Sequence, residues 1–283
     1  MSTTSCLAFS DHSTDFEDED TCLHARRIVP DMSDLDLRHE LVVISGGAGA
    51  LGREICARLA GNGATVVSVD LAPGEKPSAI STERITHVQA DVSVIDEVEH
   101  VLQEIETRHG RAATTVCCHA GIVGSHPILD YPLENFDELF RVNVRGAFTL
   151  AQVAAKRWKT LGSRGHLIFT SSWVQDHPWP HIAPYSASKA ALFSLMRSFA
   201  AELAPYGIRA NAVLPGIVST GMARRQWDED PDYRRRAERT IALGELQSPN
   251  SVADAFLFLC SDMASYMTGS ALLVDGGCTI GAS

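Results

Sequence analysis

From residue 41 onward, short apolar runs alternate with longer stretches of helical period, and nothing else in the chain restricts its fold as tightly. The runs are 41–45, 65–70, 85–89, 114–119, 165–170, 209–214 and 271–274; helical spacing fills the stretches near 51–61, 94–109, 133–159, 183–204 and 249–260. Runs that are apolar throughout, rather than at every second position, describe strands buried on both faces. Such strands separated by helices build a parallel sheet covered on both sides. Because these crossovers are right-handed, the spacing predicts an α/β protein with a doubly wound, Rossmann-type sheet in three α/β/α layers. Segment 219–244 interrupts the alternation with polar, Arg-rich sequence of helical character, and no repeat or linker divides 41–283, so these residues read as one domain.

Residues 1–40 lack this order. They hold ten acids against three bases, which accounts for −7 of the formal net charge of −11. Acids surround Phe16 in residues 15–20, a charge block that disfavours packing, so 1–40 is expected to be a disordered acidic extension leading into the domain. The body is close to balanced and has no basic cluster, which argues against nucleic acid, whose binding rests on neutralising phosphates. No stretch approaches the roughly 18–20 apolar residues of a membrane span. The N-terminus has neither the basic start and apolar run of a secretory signal nor the composition of a transit peptide, so a cytoplasmic location is expected. The seven cysteines (6, 22, 56, 117, 118, 260 and 278) are odd in number and lack C-x-x-C spacing. Buried free thiols are expected rather than disulfides or metal ligands, with Cys117 and Cys118 facing opposite sides of one strand.

The first strand runs into Ser45-Gly46-Gly47-Ala48-Gly49-Ala50-Leu51-Gly52, followed by a helix. Glycines let a backbone turn tightly and approach a pyrophosphate, which then lies at a helix N-terminus among unpaired N–H groups. A glycine loop between the opening strand and helix of such a sheet reads as a dinucleotide site. The second strand ends at Asp70, where a carboxylate can accept hydrogen bonds from ribose hydroxyls and repels a 2′-phosphate; positions 47–50 hold no Arg or Lys. Both features point to NAD rather than NADP.

Tyr185 and Lys189 stand one turn apart on a predicted helix, so both lie on one face. A tyrosine near its ordinary pKa of about 10 is a poor base at neutral pH, and a neighbouring ammonium is expected to lower that value. Lys189 is one of only four lysines beside 20 arginines. The strand at 165–170 leads into Ser171-Ser172 at the carboxyl edge of the sheet, where ligands of open α/β folds bind.

With these motifs in this order, residues 41–283 resemble the short-chain dehydrogenase/reductase family. The resemblance implies an oxidoreductase that moves a hydride between a nicotinamide cofactor and an alcohol or ketone. It implies catalytic roles for Asn143, Ser172, Tyr185 and Lys189: Tyr185 exchanges the proton, Lys189 tunes Tyr185 and holds the nicotinamide ribose, Ser172 orients the substrate oxygen, and Asn143 holds a water that links Lys189 to solvent. It implies a cofactor surface of Gly46, Gly49, Ala50, Leu51, Gly52, Asp70, Leu71, Asp91, Val92, Ala120, Gly121, Tyr185, Lys189, Pro215, Gly216, Val218 and Thr220. Thr268-Gly269 and Val274-Asp275-Gly276-Gly277 complete the pattern. Two positions depart from it. Ala50 replaces a loop glycine, where its methyl could crowd the phosphates. Cys118-His119 replaces a pair of asparagines, so His119 either braces the sheet or faces the cofactor.

Between Ser172 and Tyr185 lie Trp173, Gln175, His177, Trp179 and His181. Aromatic surface with hydrogen-bonding tips suits a small hydroxylated substrate such as a sugar or polyol, or else packs on a neighbouring subunit. Ser172, Trp173, His177, Trp179 and Tyr185 are therefore expected to line the substrate pocket. Segment 219–244 is expected to be a substrate lid, with Arg224 and Arg225 as possible anion clamps if they face inward. An NADPH-dependent 3-oxoacyl or other carbonyl reductase and a non-catalytic dinucleotide-binding sensor or scaffold are the competing possibilities. The family resemblance also implies a homo-oligomer, a tetramer or dimer.

Overall fold

The computed structural model describes residues 35–72 and 82–281. Its strands are β1 (Leu41–Ser45), β2 (Thr65–Asp70), β3 (Ile85–Gln89), β4 (Thr115–Cys118), β5 (Gly165–Thr170), β6 (Ile208–Pro215) and β7 (Ala271–Val274). They form one sheet in the order β3-β2-β1-β4-β5-β6-β7, and every neighbouring pair is parallel. The helices are α1 (Ala50–Gly61), α2 (Ile95–His109), α3 (Leu133–Phe140), α4 (Ala147–Leu161), α5 (Ala183–Leu203), α6 (Gly221–Glu229), α7 (Pro231–Thr240) and α8 (Pro249–Cys260). This is the expected doubly wound α/β/α architecture.

The strands are apolar throughout because both faces are covered. In β1, Leu41 and Val43 enter a core shared with α2, α4 and α5, whereas Val42 and Ile44 enter a second core under α1 and α8. In α2 the buried residues Val98, Val101, Leu102 and Ile105 repeat at the spacing of one helix face, and Gly110 ends the helix in the left-handed conformation. Cys117 and Cys118 lie on opposite faces of β4 in separate cores, and the five described cysteines are buried free thiols. Cys6 and Cys22 lie outside the described residues. No helix among those described is long and apolar enough to cross a membrane.

Two expectations are corrected. The helical pattern at 133–159 is broken: Arg141–Gly146 forms a π-helical turn between α3 and α4. Such a turn shifts the backbone bonding from i+4 to i+5 and is common at functional sites. The acidic extension was expected to reach residue 40, and residues 1–34 lie outside the described ones, but 35–40 are part of the packed domain. Leu37 is fully buried, its N–H donates to the Asn62 carbonyl at 2.8 Å, and the Glu40 carboxylate accepts from the Thr115 hydroxyl at 2.9 Å.

The strand order reverses between β1 and β4. Ligand crevices in open α/β sheets form outside the strand carboxyl ends at such a switch point, and here the loops after β1 and β4 meet.

Candidate active site

Gly46 leaves β1 with φ +74° and hydrogen-bonds the Val69 carbonyl at 2.8 Å. A Cβ there would lie 2.8 Å from the Ala120 backbone, so the close approach of the β1 and β4 loops requires glycine. Gly52 is tighter still, since a Cβ would come within 2.1 Å of the Gly46 carbonyl oxygen. Gly49 caps α1 without a side-chain hydrogen bond, and the first turn holds no acid. The Ala50, Leu51 and Gly52 N–H groups are therefore open to an anion from the cleft, whereas the Arg53 N–H donates to the Gly49 carbonyl at 2.9 Å. Ala50 is the first residue of α1 and is exposed, so its methyl collides with nothing in the protein.

A cleft of about 560 Å³ opens at the switch point. The phosphate loop (Gly46, Gly49, Ala50, Leu51, Gly52), Asp70 and Leu71, Asp91 and Val92, Ala120 and Gly121, and Pro215, Gly216, Val218 and Thr220 all line it, with Tyr185 and Lys189. At one end the Asp70 carboxylate is fixed by the Ala48 N–H at 3.1 Å and the Ala72 N–H at 3.3 Å. Burial opposes ionisation of Asp91, but the Ser93 hydroxyl and amide and the Arg141 guanidinium, 2.7 Å away, outweigh it and hold the carboxyl below its usual range. An uncapped helix N-terminus, a carboxylate at one end and an ammonium at the other fit a dinucleotide by donor chemistry.

The other end brings together the groups suited to handling a proton. Ser172 follows β5, whereas Tyr185 and Lys189 stand in the first turns of α5, and all three line the cleft. The Lys189 Nζ lies 5.4 Å from the Tyr185 ring centre and donates to the Thr170 carbonyl at 2.8 Å. The expected lowering of the tyrosine by Lys189 is not what the structure gives. Burial pushes Tyr185 up to about 12, with a hydrogen bond from Ser172 working the other way, and burial brings Lys189 down to about 8. The cause is common to both groups: removal from water disfavours the phenolate and the ammonium alike, and the ammonium is turned toward a carbonyl.

Asn143 sits in the π-helical turn, fully buried, and does not line the cleft. Its Oδ1 accepts from the Ile122 N–H at 2.8 Å, and its Nδ2 donates to the Ile122 carbonyl at 2.9 Å and the Ser188 hydroxyl at 3.1 Å. Its side chain thus ties the cleft loop after β4 to α5. His119 lines the cleft as well as bracing the sheet: its Nδ1 lies 3.0 Å from the Thr170 hydroxyl, and its ring meets Phe256 edge-on.

Burial, with the Lys189 charge adding to it, takes His119 down to about 3; burial and Arg209 also hold His166 well below the ordinary histidine value. At pH 5 the unfolded chain therefore carries a proton on each ring that the native protein refuses. Their contribution is fully present above about pH 6.5 and is lost as pH falls, by up to about 1.4 kcal/mol per pH unit per histidine. The melting temperature should accordingly be lower at pH 5 than at pH 7, and His119→Asn should flatten the slope. Scanning fluorimetry across this range decides it, and a flat wild-type profile would contradict the assignment.

The substrate end differs from expectation. Ser172, Trp173, Trp179 and Tyr185 line the cleft, but His177 and Arg224 do not. Arg224 is exposed and pairs with Asp228 at 2.8 Å, one helical turn on. Residues missed from sequence include Ile182, Met222, Ala223, Gln226 and Tyr233. The last four come from α6 and α7, and Met222 and Gln226 are four residues apart, on one helix face. Trp173 and Trp179 meet edge-on at 5.6 Å between centres, and Trp179 meets Tyr233 edge-on at 5.7 Å. This aromatic chain joins the loop after Ser172 to α7.

Residues 46–279 match the protein family described as Enoyl-(Acyl carrier protein) reductase. The chain is 33% identical over 251 residues to an L-rhamnose-1-dehydrogenase of Scheffersomyces stipitis, covering 85% of this chain and 96% of the relative. It is 32% identical to a (3R)-3-hydroxyacyl-CoA dehydrogenase of Mus musculus, covering 87% and 98%. Among solved structures, a short chain dehydrogenase from Leptospira borgpetersenii with bound NAD+ superposes with a TM-score of 0.79 at 26% identity, covering 90% of this chain and 98% of the other.

Proposed function

This chain belongs to the short-chain dehydrogenase/reductase family, and from that membership we propose that it is an NAD-dependent dehydrogenase of a secondary alcohol in a small hydroxylated, sugar- or polyol-like compound. One observation carries this: Ser172, Tyr185 and Lys189 line the same cleft as the glycine loop and Asp70. A nicotinamide bound along that cleft would take up or deliver the hydride.

The chain's own residues handle orientation and the proton. The Ser172 hydroxyl holds the substrate oxygen toward Tyr185, whose hydroxyl exchanges the proton with it. The Lys189 ammonium stabilises the phenolate as it forms and holds the nicotinamide ribose. Asn143 keeps the loop after β4 and α5 in register, so that Tyr185 and Lys189 stay at the cleft, and the water that the family resemblance assigns to it would have to be held by its backbone, since its amide is bonded to Ile122 and Ser188. The presence of Asn143, Ser172, Tyr185 and Lys189 together speaks against a non-catalytic sensor or scaffold. The curated relative acting on L-rhamnose supports a sugar-like substrate. A cytoplasmic location and a homo-oligomer, most simply a tetramer, belong to the same reading; exposed apolar side chains such as Phe148 and Leu161 on α4 support a contact between subunits.

Absorbance of the reduced cofactor, followed over a panel of sugars, polyols and hydroxy acids, tests the activity. Asp70 sets the cofactor: kcat/KM with NAD should exceed that with NADP by about tenfold or more, and Asp70→Ser should narrow the ratio by relieving repulsion of a 2′-phosphate. A tenfold preference for NADP in the wild type would instead favour the carbonyl reductase alternative and refute the role given to Asp70.

A further inference from the structure

Segment 219–244 holds six arginines, but none of them lines the cleft. Arg224 pairs with Asp228 and Arg234 with Glu238, while the Arg236 guanidinium lies 5.6 Å from the Trp179 ring centre. Arg235 pairs with Asp232. The charged side chains that do line the cleft are Asp70 and Asp91, toward the adenine end, and Lys189, whose Nζ is bonded to Thr170. Beyond Ser172 and Tyr185, the substrate end is walled by Trp173, Trp179, Ile182, Met222 and Tyr233. Gln226 is the one non-aromatic polar side chain that α6 and α7 bring to it, and its amide has no hydrogen-bond partner among the described residues.

From this arrangement we infer that the site selects uncharged ring alcohols, pyranoses or cyclitols, by packing their C–H face against the Trp173–Trp179–Tyr233 wall and by one hydrogen bond from Gln226, and that it rejects carboxylates and phosphorylated thioesters. The chemistry is one of exclusion as much as of attraction. A carboxylate brought into this chamber leaves water and meets no uncommitted cation, since Lys189 is bonded to the Thr170 carbonyl and no arginine of α6 or α7 lines the cleft, and an unpaired buried charge is costly. A cyclic polyol offers an apolar face to the aromatic rings and keeps hydroxyls for Gln226, Ser172 and Tyr185. Specificity therefore rests on Gln226 of α6 and on the aromatic wall.

This inference rests on the dehydrogenase reading above, and the experiment separates the two. Full-length protein is assayed with NAD and with NADP on neutral rings (D-galactose, L-rhamnose, myo-inositol), on the acid of matched ring (D-galacturonate), and on 3-hydroxybutyryl-CoA. The best neutral ring should exceed the acid and the thioester in kcat/KM by about 30-fold or more. Gln226→Leu should raise KM for that ring by about tenfold with kcat within about twofold, the signature of a lost hydrogen bond made equally in ground and transition states. Gln226→Arg should narrow the gap by admitting the acid, which a purely structural role for Gln226 does not predict. If the acid or the thioester is the best wild-type substrate, or if Gln226→Leu leaves KM unchanged, the selection mechanism is wrong while the dehydrogenase reading stands. If no compound of any class is turned over with either cofactor, the dehydrogenase reading fails and takes this inference with it.

Discussion

Replacing Tyr185 with phenylalanine should lower kcat/KM by about 10²–10⁴-fold, the range that a positioned proton-transfer group supplies, while cofactor affinity stays within about twofold. The ring is retained, so the packing around the first turn of α5 persists; only the hydroxyl is lost. That hydroxyl is held neutral by burial, up to about 12, and a phenol so reluctant to ionise is useful as a base only when its charged form is stabilised during the reaction. Lys189, 5.4 Å from the ring centre, is the group placed to do this. The loss should therefore fall on kcat as well as kcat/KM, as it does when an interaction is made only in the transition state. Steady-state rates combined with fluorescence titration of the cofactor make the comparison. Activity in the variant close to wild type would remove Tyr185 from the proton path and leave Ser172 as the donor to be tested next.

Gly52→Ala should cost about 1–3 kcal/mol of stability, the usual penalty for overpacking, and should weaken cofactor binding by more than about tenfold. The added methyl would stand 2.1 Å from the Gly46 carbonyl oxygen and 2.8 Å from the Gly47 Cα. Both neighbours are backbone, so neither can swing aside as a side chain would, and relief requires moving the turn itself. That turn presents the start of α1 to the cleft, so a shift large enough to relieve the clash also misplaces the N–H groups a pyrophosphate needs. Chemical denaturation and cofactor titration measure the two effects separately. Ala50, only two residues before Gly52, is tolerated because it is exposed. An unchanged cofactor affinity in Gly52→Ala would mean that the loop can be redrawn without loss.

Much of the fold was legible because strand burial leaves a direct imprint on composition. β2, with Val66, Val67 and Val69 all buried, reads as a two-sided strand with no knowledge of its partners. The cofactor end was legible for a related reason: a glycine that must turn between strand and helix, and an acid at a strand end, sit at fixed places in the pattern. The substrate end was not. Arg224 drew attention by its charge and position, yet helical phase turns it to Asp228, a partner at i+4 that the sequence already displayed. Gln226 and Tyr233 carry no composition signal; only the docking of α6 and α7 decides which face meets the cleft. The π-helical turn at Arg141–Gly146 was hidden because its residues suit an α-helix, and the tertiary bonds of Asn143 to Ile122 and Ser188, which accompany the wider bonding, leave no local signal. Leu37 and Glu40 lie in a stretch whose charge reads as extension, whereas the packing of Leu35 and the burial of Leu37 mark where the domain starts.

The strand order has a consequence in time. β1, β2 and β3 follow one another in the chain and pair side by side, so this half can assemble from near neighbours. The central pairing of β1 with β4 joins Val42 to Thr115 and must wait for a long loop to close. Contacts between distant stretches of chain slow the search for the native state, and parallel sheets suffer most from this. The cleft, flanked by the loops after β1 and β4, cannot exist before that closure. During refolding, the ability to hold a dinucleotide should thus emerge only after the amide protons of β1 and β2 are already protected, which makes the cofactor a reporter of the last central step rather than a guide to the first.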